Sequence, residues 1–254
     1  MAVIVDTCTQ PLSLPSSRPA RELGEAACPA VPDYLRRYYW WAYVHPAAIE
    51  LFERQWLINL ILWGNHARLR DAALDELGRS LPGATLQVAC AYGDLSIALA
   101  ERAAAGRGSV DIVDVLPLQL RNLRAKLPPC LPARLLPMDS TRLRLPDASY
   151  DRVLVFFLLH EQPRDIRRRT LQEAFRVVRP GGRIVIVDYA RPRWWHPLRY
   201  LWRPLLAALE PFALDLWHED LADWLPASGV GSLSLRTFFG GLYRVLTVTR
   251  RSEA

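Results

Sequence analysis

Short apolar runs alternate with amphipathic segments through the middle of the chain. Helical patterns begin at Asp94 and Pro117 and span residues 164–178. Strands that alternate with helices are typical of a parallel sheet with helices on both faces. The last apolar segments differ, because two alternating strands flank Gly240 and Gly241 and predict a hairpin at an antiparallel edge. The runs that predict the parallel strands are residues 86–90, 110–113, the segment around Leu135, 152–157 and 183–187.

The first 80 residues predict a leader and a helical cap. Residues 1–30 are rich in Pro, Ser and Ala, which is typical of a flexible leader. Residues 46–63 place apolar and aromatic side chains at steps of three and four, which predicts one helix beginning near Pro46. A second helix follows and ends at Gly78. We therefore divide the chain into a leader (1–30), a helical cap (31–80), an α/β core (81–190), an aromatic and arginine-rich insertion (191–228) and a hairpin (229–254).

Composition narrows the classes of function. The net charge is +6, but Lys126 is the only lysine, and an arginine excess of this kind is no specific sign of phosphate binding. The aromatic residues cluster with Leu and Pro, which disfavours a nucleic-acid partner. The four cysteines lie far apart without CxxC spacing, so neither a zinc site nor a disulfide framework is predicted, and a reducing compartment fits best. The sequence predicts no oligomeric state.

The insertion predicts a surface that lies on a membrane. Trp194, Trp195 and Trp202 are interspersed with arginines in this segment. Aromatic rings and arginine side chains settle at the level of lipid headgroups. No apolar run approaches the roughly 20 residues of a membrane-spanning helix, so the chain would lie on a bilayer without crossing it. Burial of the aromatic residues against the sheet is the alternative.

Two acidic residues follow strands at the predicted binding edge. In an open parallel sheet, ligands bind beyond the carboxyl ends of the strands. Asp114, followed by Val115, ends the second strand, where a carboxylate can accept hydrogen bonds from ribose hydroxyls. Asp139, followed by Ser140, comes after the third strand, near the expected position of an adenine edge. A helix cap or a turn is the alternative role for each aspartate.

The loop after the first strand has the sequence VACAYGDLS, residues 88–96. Glycines in such a loop allow unusual dihedral angles and a close approach of ligand to backbone. Here Ala89, Ala91 and Tyr92 stand near the single Gly93, and we expect all four residues to contact the bound nucleoside compound. The absence of a GxGxxG pattern disfavours a dinucleotide-dependent oxidoreductase.

Residues 84–190 resemble the class I S-adenosylmethionine (SAM)-dependent methyltransferases, particularly the quinone C-methyltransferases of ubiquinone and menaquinone synthesis. DVLPLQL, MDSTRLRLPDASYD and RVVRPGGRIVIVD carry the resemblance. It implies a Rossmann-like, seven-stranded α/β sheet with an antiparallel C-terminal hairpin. The family pattern has an acidic residue and three glycines in the loop, where this chain has Gln87, Ala89 and Ala91 and keeps only Gly93.

This altered loop, together with three further stretches, closely resembles the rhodoquinone biosynthesis enzymes. The resemblance implies that the chain converts ubiquinone to rhodoquinone, replacing a ring methoxy group by an amino group with SAM as amino donor and manganese (Mn²⁺) as a requirement. It also implies a place in the bacterial cytoplasm, peripheral on the inner membrane. The alternatives are a true quinone methyltransferase and a non-catalytic membrane-associated binding protein with a degenerate nucleoside site. The stretches are residues 38–74, FFLLHEQP at 156–163 and LEPFALDLW at 209–217.

The implied amination assigns further roles. The α-ammonium of SAM must lose a proton before it attacks the quinone, and a metal ion could polarise a quinone oxygen. Tyr92, His160 and Glu161 are the candidate catalytic residues. Because manganese favours carboxylate and imidazole ligands, His160, Glu161 and Asp188 are the candidate metal ligands, with Asp114 as a rival. Asp139 is a second rival. The alternatives are a core histidine, a helix cap at Glu161, and an aspartate that braces the arginine-rich segment.

Overall fold

A computed structural model describes residues 29–40 and 50–252, except for the side chains of residues 208 and 209. Almost all of the predicted leader, the first part of the predicted helix 46–63, Cys8 and Cys28 lie outside the described residues.

Seven strands form one mixed sheet in the order β3-β2-β1-β4-β5-β7-β6. The first five strands pair in parallel, and β7 pairs antiparallel with both β5 and β6. The central strands are rich in apolar residues and are buried along most of their length, which is typical of a sheet covered on both faces. The strands are β1 (Ala84–Val88), β2 (Ser109–Asp114), β3 (Ala133–Pro137), β4 (Tyr150–Phe156), β5 (Val178–Tyr189), β6 (Val230–Phe238) and β7 (Tyr243–Arg250).

Helices cover both faces of this sheet, as predicted. On one face, α3, α4 and α5 share a core with β2, β4 and β5, and α6 packs on the other face. The helix α3 therefore belongs to the core of the sheet, although the sequence placed it in the cap. The helices are α1 (Asp33–Tyr38), α2 (Gln55–Ile61), α3 (His66–Leu77), α4 (Leu95–Ala105), α5 (Pro117–Lys126), α6 (Arg164–Val177) and α7 (Leu198–Leu209).

The predicted single helix over residues 46–63 is wrong in its described part. Residues 50–52 form a helical turn, the helix stops at Glu53 and Arg54, and α2 begins at Gln55. Tertiary contacts explain the break, because the Glu53 carboxylate accepts hydrogen bonds from Asn122 and Lys126 on α5. Apolar spacing predicts the buried face of this segment but carries no sign of that distant partner.

The insertion forms α7 and a series of short 3₁₀ turns between β5 and β6. Part of it is packed against the sheet, since Trp202 and Trp217 are buried, while Trp194 and Trp195 are exposed. The predicted hairpin is confirmed, with Phe239–Gly241 forming the turn between β6 and β7. None of the helices in the described part of the chain has the length and apolar character needed to cross a membrane.

Candidate functional site

A cavity of about 650 Å³ opens at the carboxyl edge of the parallel strands. It lies where β1 pairs with β2 on one side and β4 on the other, which is the switch point at which open α/β sheets bind ligands. Its volume is within the range of about 300–1,000 Å³ that is typical of small-molecule sites. The cavity brings together nine of the residues predicted from the sequence: Ala89, Ala91, Tyr92, Asp114, Val115, Asp139, Ser140, His160 and Glu161.

The loop after β1 has an unusual backbone at its first residue. Ala89 has a φ of +71°, in the left-handed region that favours glycine, while its N–H donates to the carbonyl oxygen of Val113 over 2.9 Å. Gln87 supports this conformation, because its buried amide donates to the Ala89 carbonyl oxygen and to Ser96 Oγ, each over 2.9 Å. A carboxylate at position 87 could not donate either bond. The loop therefore keeps a glycine-like path without the glycine.

Tyr92 closes one side of the cavity. Its hydroxyl accepts a hydrogen bond from Gln119 Nε2 over 2.7 Å, and its ring stacks on Phe52 with centroids 5.7 Å apart. Burial, above all, raises the pKa of Tyr92 far above its ordinary value, so the phenol stays protonated near neutral pH. The side chain can donate or accept a hydrogen bond but cannot serve there as a phenolate base.

Asp114 is the buried carboxylate at the end of β2. Its Oδ2 accepts from the Cys90 N–H and its Oδ1 from the Leu116 N–H, each over 2.8 Å. Burial raises its pKa to about 6. Each carboxylate oxygen has lone pairs for further donors, so Asp114 can accept the two hydroxyls of a ribose.

Asp139 and Ser140 line the cavity beside β3 but also stabilise their own loop. Asp139 Oδ1 accepts from both the N–H and the hydroxyl of Thr141 over 2.8 Å, which is the turn role considered as its alternative. Ser140 Oγ lies 2.9 Å from Thr170 Oγ1 and accepts from Gln162 Nε2 over 3.1 Å. These two residues therefore shape this end of the cavity.

His160 and Asp188 form a buried hydrogen-bonded pair. His160 Nδ1 lies 3.0 Å from Asp188 Oδ1, and Nε2 lies 3.8 Å from Glu161 Oε1. Burial alone lowers the pKa of His160, but the nearby carboxylates, led by Asp188, outweigh it and raise the pKa to about 9. Burial likewise opposes the charge of Asp188, but the His160 cation keeps the Asp188 pKa below its ordinary value. The imidazole is therefore a cation near neutral pH.

The predicted metal-ligand set of His160, Glu161 and Asp188 does not fit a metal ion. Asp188 lies behind His160, outside the lining of the cavity, and accepts from the backbone N–H groups of Leu159 and Tyr189 as well as from the ring. Among residues 29–40 and 50–252, no three His, Cys, Asp or Glu side chains are arranged to hold a metal ion. The cause is the direction of the Asp188 side chain, which the position at the end of β5 does not reveal.

Sequence reasoning missed a polar cluster that ties the cap to the loop. Lys126 Nζ donates to both oxygens of Glu53 over 2.6 and 2.8 Å and to the Gly93 carbonyl oxygen over 2.8 Å. The Gly93 N–H in turn donates to Glu53 Oε2 over 3.2 Å. Gly93, which was predicted to contact the ligand, is not among the residues that line the cavity. One feature of the sequence could have pointed to Lys126 as a residue with a specific role, because it is the only lysine of the chain.

The insertion and the cap also contribute to the cavity. Glu210 comes from the end of α7, and burial raises its pKa. Tyr34 comes from α1, and burial, together with Glu161, raises the pKa of its hydroxyl. No pattern in the sequence indicated that these segments would meet beside His160.

The mouth of the cavity is apolar and exposed. Residues of α2 and α7 contribute both to its lining and to the surface, and Trp63 contacts Trp202 with ring centroids 5.6 Å apart. An exposed apolar rim of this kind marks a site for a lipid or an apolar partner. The side chains that both line the cavity and are exposed are Leu51, Leu60, Ile61, Trp63 and Leu205.

The chain is similar to known methyltransferases. The family described as "Methyltransferase domain" matches residues 85–182. A demethylmenaquinone methyltransferase from Beutenbergia cavernae is 34% identical over 120 residues, covering 43% of this chain and 49% of the relative. The chain thus spans about half the length of that relative.

Two further proteins extend the match. A demethylmenaquinone methyltransferase from Tropheryma whipplei (strain Twist) is 32% identical over 178 residues, covering 65% of this chain and 70% of the relative. The crystal structure of a SAM-dependent methyltransferase from Aquifex aeolicus shares the fold with a TM-score of 0.50 and 18% identity, covering 81% of this chain and 98% of that one.

Proposed function

The chain belongs to the class I SAM-dependent quinone methyltransferase family, and we propose that it uses SAM to modify the ring of a lipid quinone. One observation carries the proposal: a single cavity joins the buried Asp114 carboxylate to an exposed apolar mouth. The first feature suits a nucleoside and the second suits an isoprenoid chain. Relatives in this family include a demethylmenaquinone methyltransferase and a ubiquinone/menaquinone biosynthesis C-methyltransferase.

The residues at the end of β2 fit SAM. Asp114 accepts hydrogen bonds from the ribose hydroxyls, and those donors stabilise its ionised form. Ala89 and Ala91 form the loop surface that the bound molecule contacts. When bound, SAM supplies a sulfonium methyl group that an electron-rich ring carbon can attack.

His160 is placed to donate a hydrogen bond to the acceptor ring. Asp188 fixes the ring of His160 through Nδ1, so that Nε2–H faces the cavity and donates to a quinone oxygen. Because the imidazole is cationic near neutral pH, this hydrogen bond is charge-assisted and stabilises negative charge that develops on that oxygen. Glu161, which lines the cavity beside His160, accepts the proton that leaves the reacting group.

A second candidate reaction is the conversion of ubiquinone to rhodoquinone. The observation that favours it is the crowded loop, where the methyl groups of Ala89 and Ala91 and the Tyr92 ring line the cavity in place of glycine. Crowding there shifts the amino-acid end of the donor relative to the acceptor ring. The described side chains offer no ligand set that fits the manganese implied by the resemblance, so we derive no step through it.

The chemistry of amination makes use of the same residues. Glu161 accepts a proton from the donor's α-ammonium, and the free amine attacks the ring carbon that carries a methoxy group. A C–N bond forms, the C–O bond breaks, and the methoxide leaves as methanol with the transferred proton. The ring nitrogen then still carries the α-carbon of the donor. A β-elimination that breaks the donor's N–Cα bond, with loss of a proton from the adjacent carbon, frees the amino group and leaves an unsaturated carboxylic acid. His160 polarises the adjacent carbonyl oxygen, as a Lewis acid would.

We also propose that the cavity mouth lies on the anionic face of the bacterial inner membrane. Trp194, Trp195 and Tyr200 are 76%, 53% and 75% exposed, beside the exposed guanidinium groups of Arg193 and Arg203. Amphipathic surfaces with this composition bind anionic lipids. A quinone could then enter the cavity from the bilayer without crossing water.

Product analysis distinguishes the candidates. Purified protein is incubated with SAM and either oxidised ubiquinone or a reduced quinone with an unsubstituted ring position, with and without manganese, and products are identified by mass spectrometry. A methylated ring with S-adenosylhomocysteine supports methyl transfer, and an aminoquinone supports amination. The variant Asp114→Ala should abolish either product. Absence of SAM binding in calorimetry would refute the proposal and favour a non-catalytic binding protein.

A further inference from the structure

His66 carries a buried donor in the cavity wall. It lies in the first turn of α3, is 1% exposed and lines the cavity. Its Nε2 has no hydrogen-bond partner among the residues that the structure describes. An unpaired buried donor costs about 1–3 kcal/mol, so its presence in a ligand cavity points to a ligand atom that satisfies it.

The surroundings of the ring determine its tautomer. Gln55 Nε2 lies 3.0 Å from His66 Nδ1, and an amide nitrogen can only donate, so Nδ1 accepts and the proton is on Nε2. Burial lowers the pKa of His66, which keeps the imidazole neutral. The side chain therefore offers one N–H group and requires an acceptor oxygen.

The position of His66 indicates which ligand oxygen accepts the hydrogen bond from its Nε2–H group. The imidazole packs on Gly93, whose Cβ, if it had one, would lie 3.3 Å from His66 Cε1. Gly93 immediately precedes the N-terminus of α4, an 11-residue helix whose dipole favours negative charge at that end. The adjacent Asp94 carboxylate is paired with Arg70 and so is compensated. An N–H donor beside a helix N-terminus suits a carboxylate.

We propose that His66 Nε2–H donates a hydrogen bond to the amino-acid carboxylate of SAM. This inference rests on the proposed function and adds to it the residue that anchors the end of SAM opposite its adenosine. Fixing the carboxylate also fixes the neighbouring α-carbon, so His66 helps to determine whether the amine or the sulfonium methyl group faces the acceptor ring.

Calorimetry with two ligands tests the assignment on the full chain. SAM carries the carboxylate, whereas 5′-methylthioadenosine keeps the nucleoside and the sulfur but lacks the amino-acid end. We expect His66→Phe to weaken SAM binding by about ten- to hundred-fold, as for one hydrogen bond to a charged group, and to leave methylthioadenosine binding unchanged within about two-fold. His66→Gln, which retains a donor, should lose less affinity for SAM.

The matched control is His196→Phe. His196 is also buried and has a ring nitrogen without a partner among the described residues, but it packs on Gly240 away from the cavity lining. This variant should bind both ligands like the wild type. Thermal unfolding of every variant shows whether the fold is retained, and if His66→Phe does not fold, His66→Gln decides the test by its selective effect on SAM.

Three results would overturn the inference. His66→Phe could weaken both ligands equally, which indicates a structural role, or it could weaken neither. It could also leave SAM binding intact and raise the KM for the quinone. In that case the oxygen that accepts the hydrogen bond from His66 belongs to the quinone and not to SAM. If the wild type itself binds no SAM, the proposed function fails, and that failure is visible before any variant is measured.

Discussion

Asp188→Asn tests the buried pair on which the proposed role of His160 depends. Asp188 is fully buried and accepts hydrogen bonds from His160 Nδ1 and from the backbone N–H groups of Leu159, His160 and Tyr189. An asparagine keeps the shape but turns one acceptor oxygen into an NH₂ group that faces donors. The substitution also removes the negative charge that holds the imidazolium.

The size of the effect follows from the geometry and the pKa. Removal of one partner of a buried ion pair costs about 3–5 kcal/mol, and we expect the unfolding free energy to fall by that amount near neutral pH. The pair also makes stability depend on pH. His160 has a pKa of about 9 when folded, against about 6.5 when unfolded.

The sign of this pH dependence is fixed by the direction of the shift. Because the pKa of His160 is higher in the folded protein, its protonation stabilises the fold fully at pH values below the pKa of the unfolded protein. That stabilisation is lost as the pH rises through the pKa of the folded protein. The full contribution is on the order of 3 kcal/mol, of which roughly 2 kcal/mol should be lost between about pH 7 and 9.5. The lowered pKa of Asp188 matters only at acid pH, outside this window.

Urea unfolding followed by tryptophan fluorescence at several pH values measures both quantities. The control is Asp111→Asn, because Asp111 is also buried and is bonded to Arg134 and Tyr150. That variant should lose stability and keep the pH dependence. A wild type equally stable at pH 7 and 9.5, or an Asp188→Asn variant with the full pH dependence, would refute the reasoning.

Three other perturbations test the loop, the cap and the surface. Ala89→Gly should raise the unfolding free energy by about 0.5–1 kcal/mol in urea, because relief of about 1–2 kcal/mol of left-handed strain exceeds the added entropy of the unfolded chain. Lys126→Arg should weaken SAM binding in calorimetry by about three- to ten-fold, since a planar guanidinium cannot bond both Glu53 and the Gly93 carbonyl oxygen as the compact ammonium does. Trp194→Ser combined with Trp195→Ser should reduce co-sedimentation with anionic vesicles at least ten-fold, on the order of 1.4 kcal/mol.

Matched variants separate these effects from general damage. Arg124→Lys alters an exposed residue on the same helix as Lys126 and should leave SAM binding unchanged. Leu235→Ser alters an exposed apolar residue on β6, and vesicle binding should be retained. A lower stability of Ala89→Gly, a Lys126→Arg variant with wild-type affinity, or equal vesicle binding by the tryptophan variant would each contradict its prediction.

The sequence by itself determined the class I methyltransferase fold, and this prediction is confirmed. Parallel strands buried on both faces read as apolar runs, and the edge hairpin shows alternation around two glycines, so both patterns are local. The position of Asp114 was likewise predictable, because a residue at the end of a parallel strand must lie at the edge where ligands bind. Local sequence therefore indicated the cavity and most of its lining.

Only the tertiary structure decided how individual side chains are used. Asp188 points at His160, 28 residues away in sequence, and Glu53 bonds Lys126, 73 residues away. The ring nitrogen of His66 that lacks a partner among the described residues is recognised only once the cap and α3 are packed together. Periodicity records which residues are buried, but the direction of a polar side chain depends on partners supplied by distant segments. For this reason the long helix was predicted wrongly, and the predicted metal ligands are not arranged around one point among the described residues.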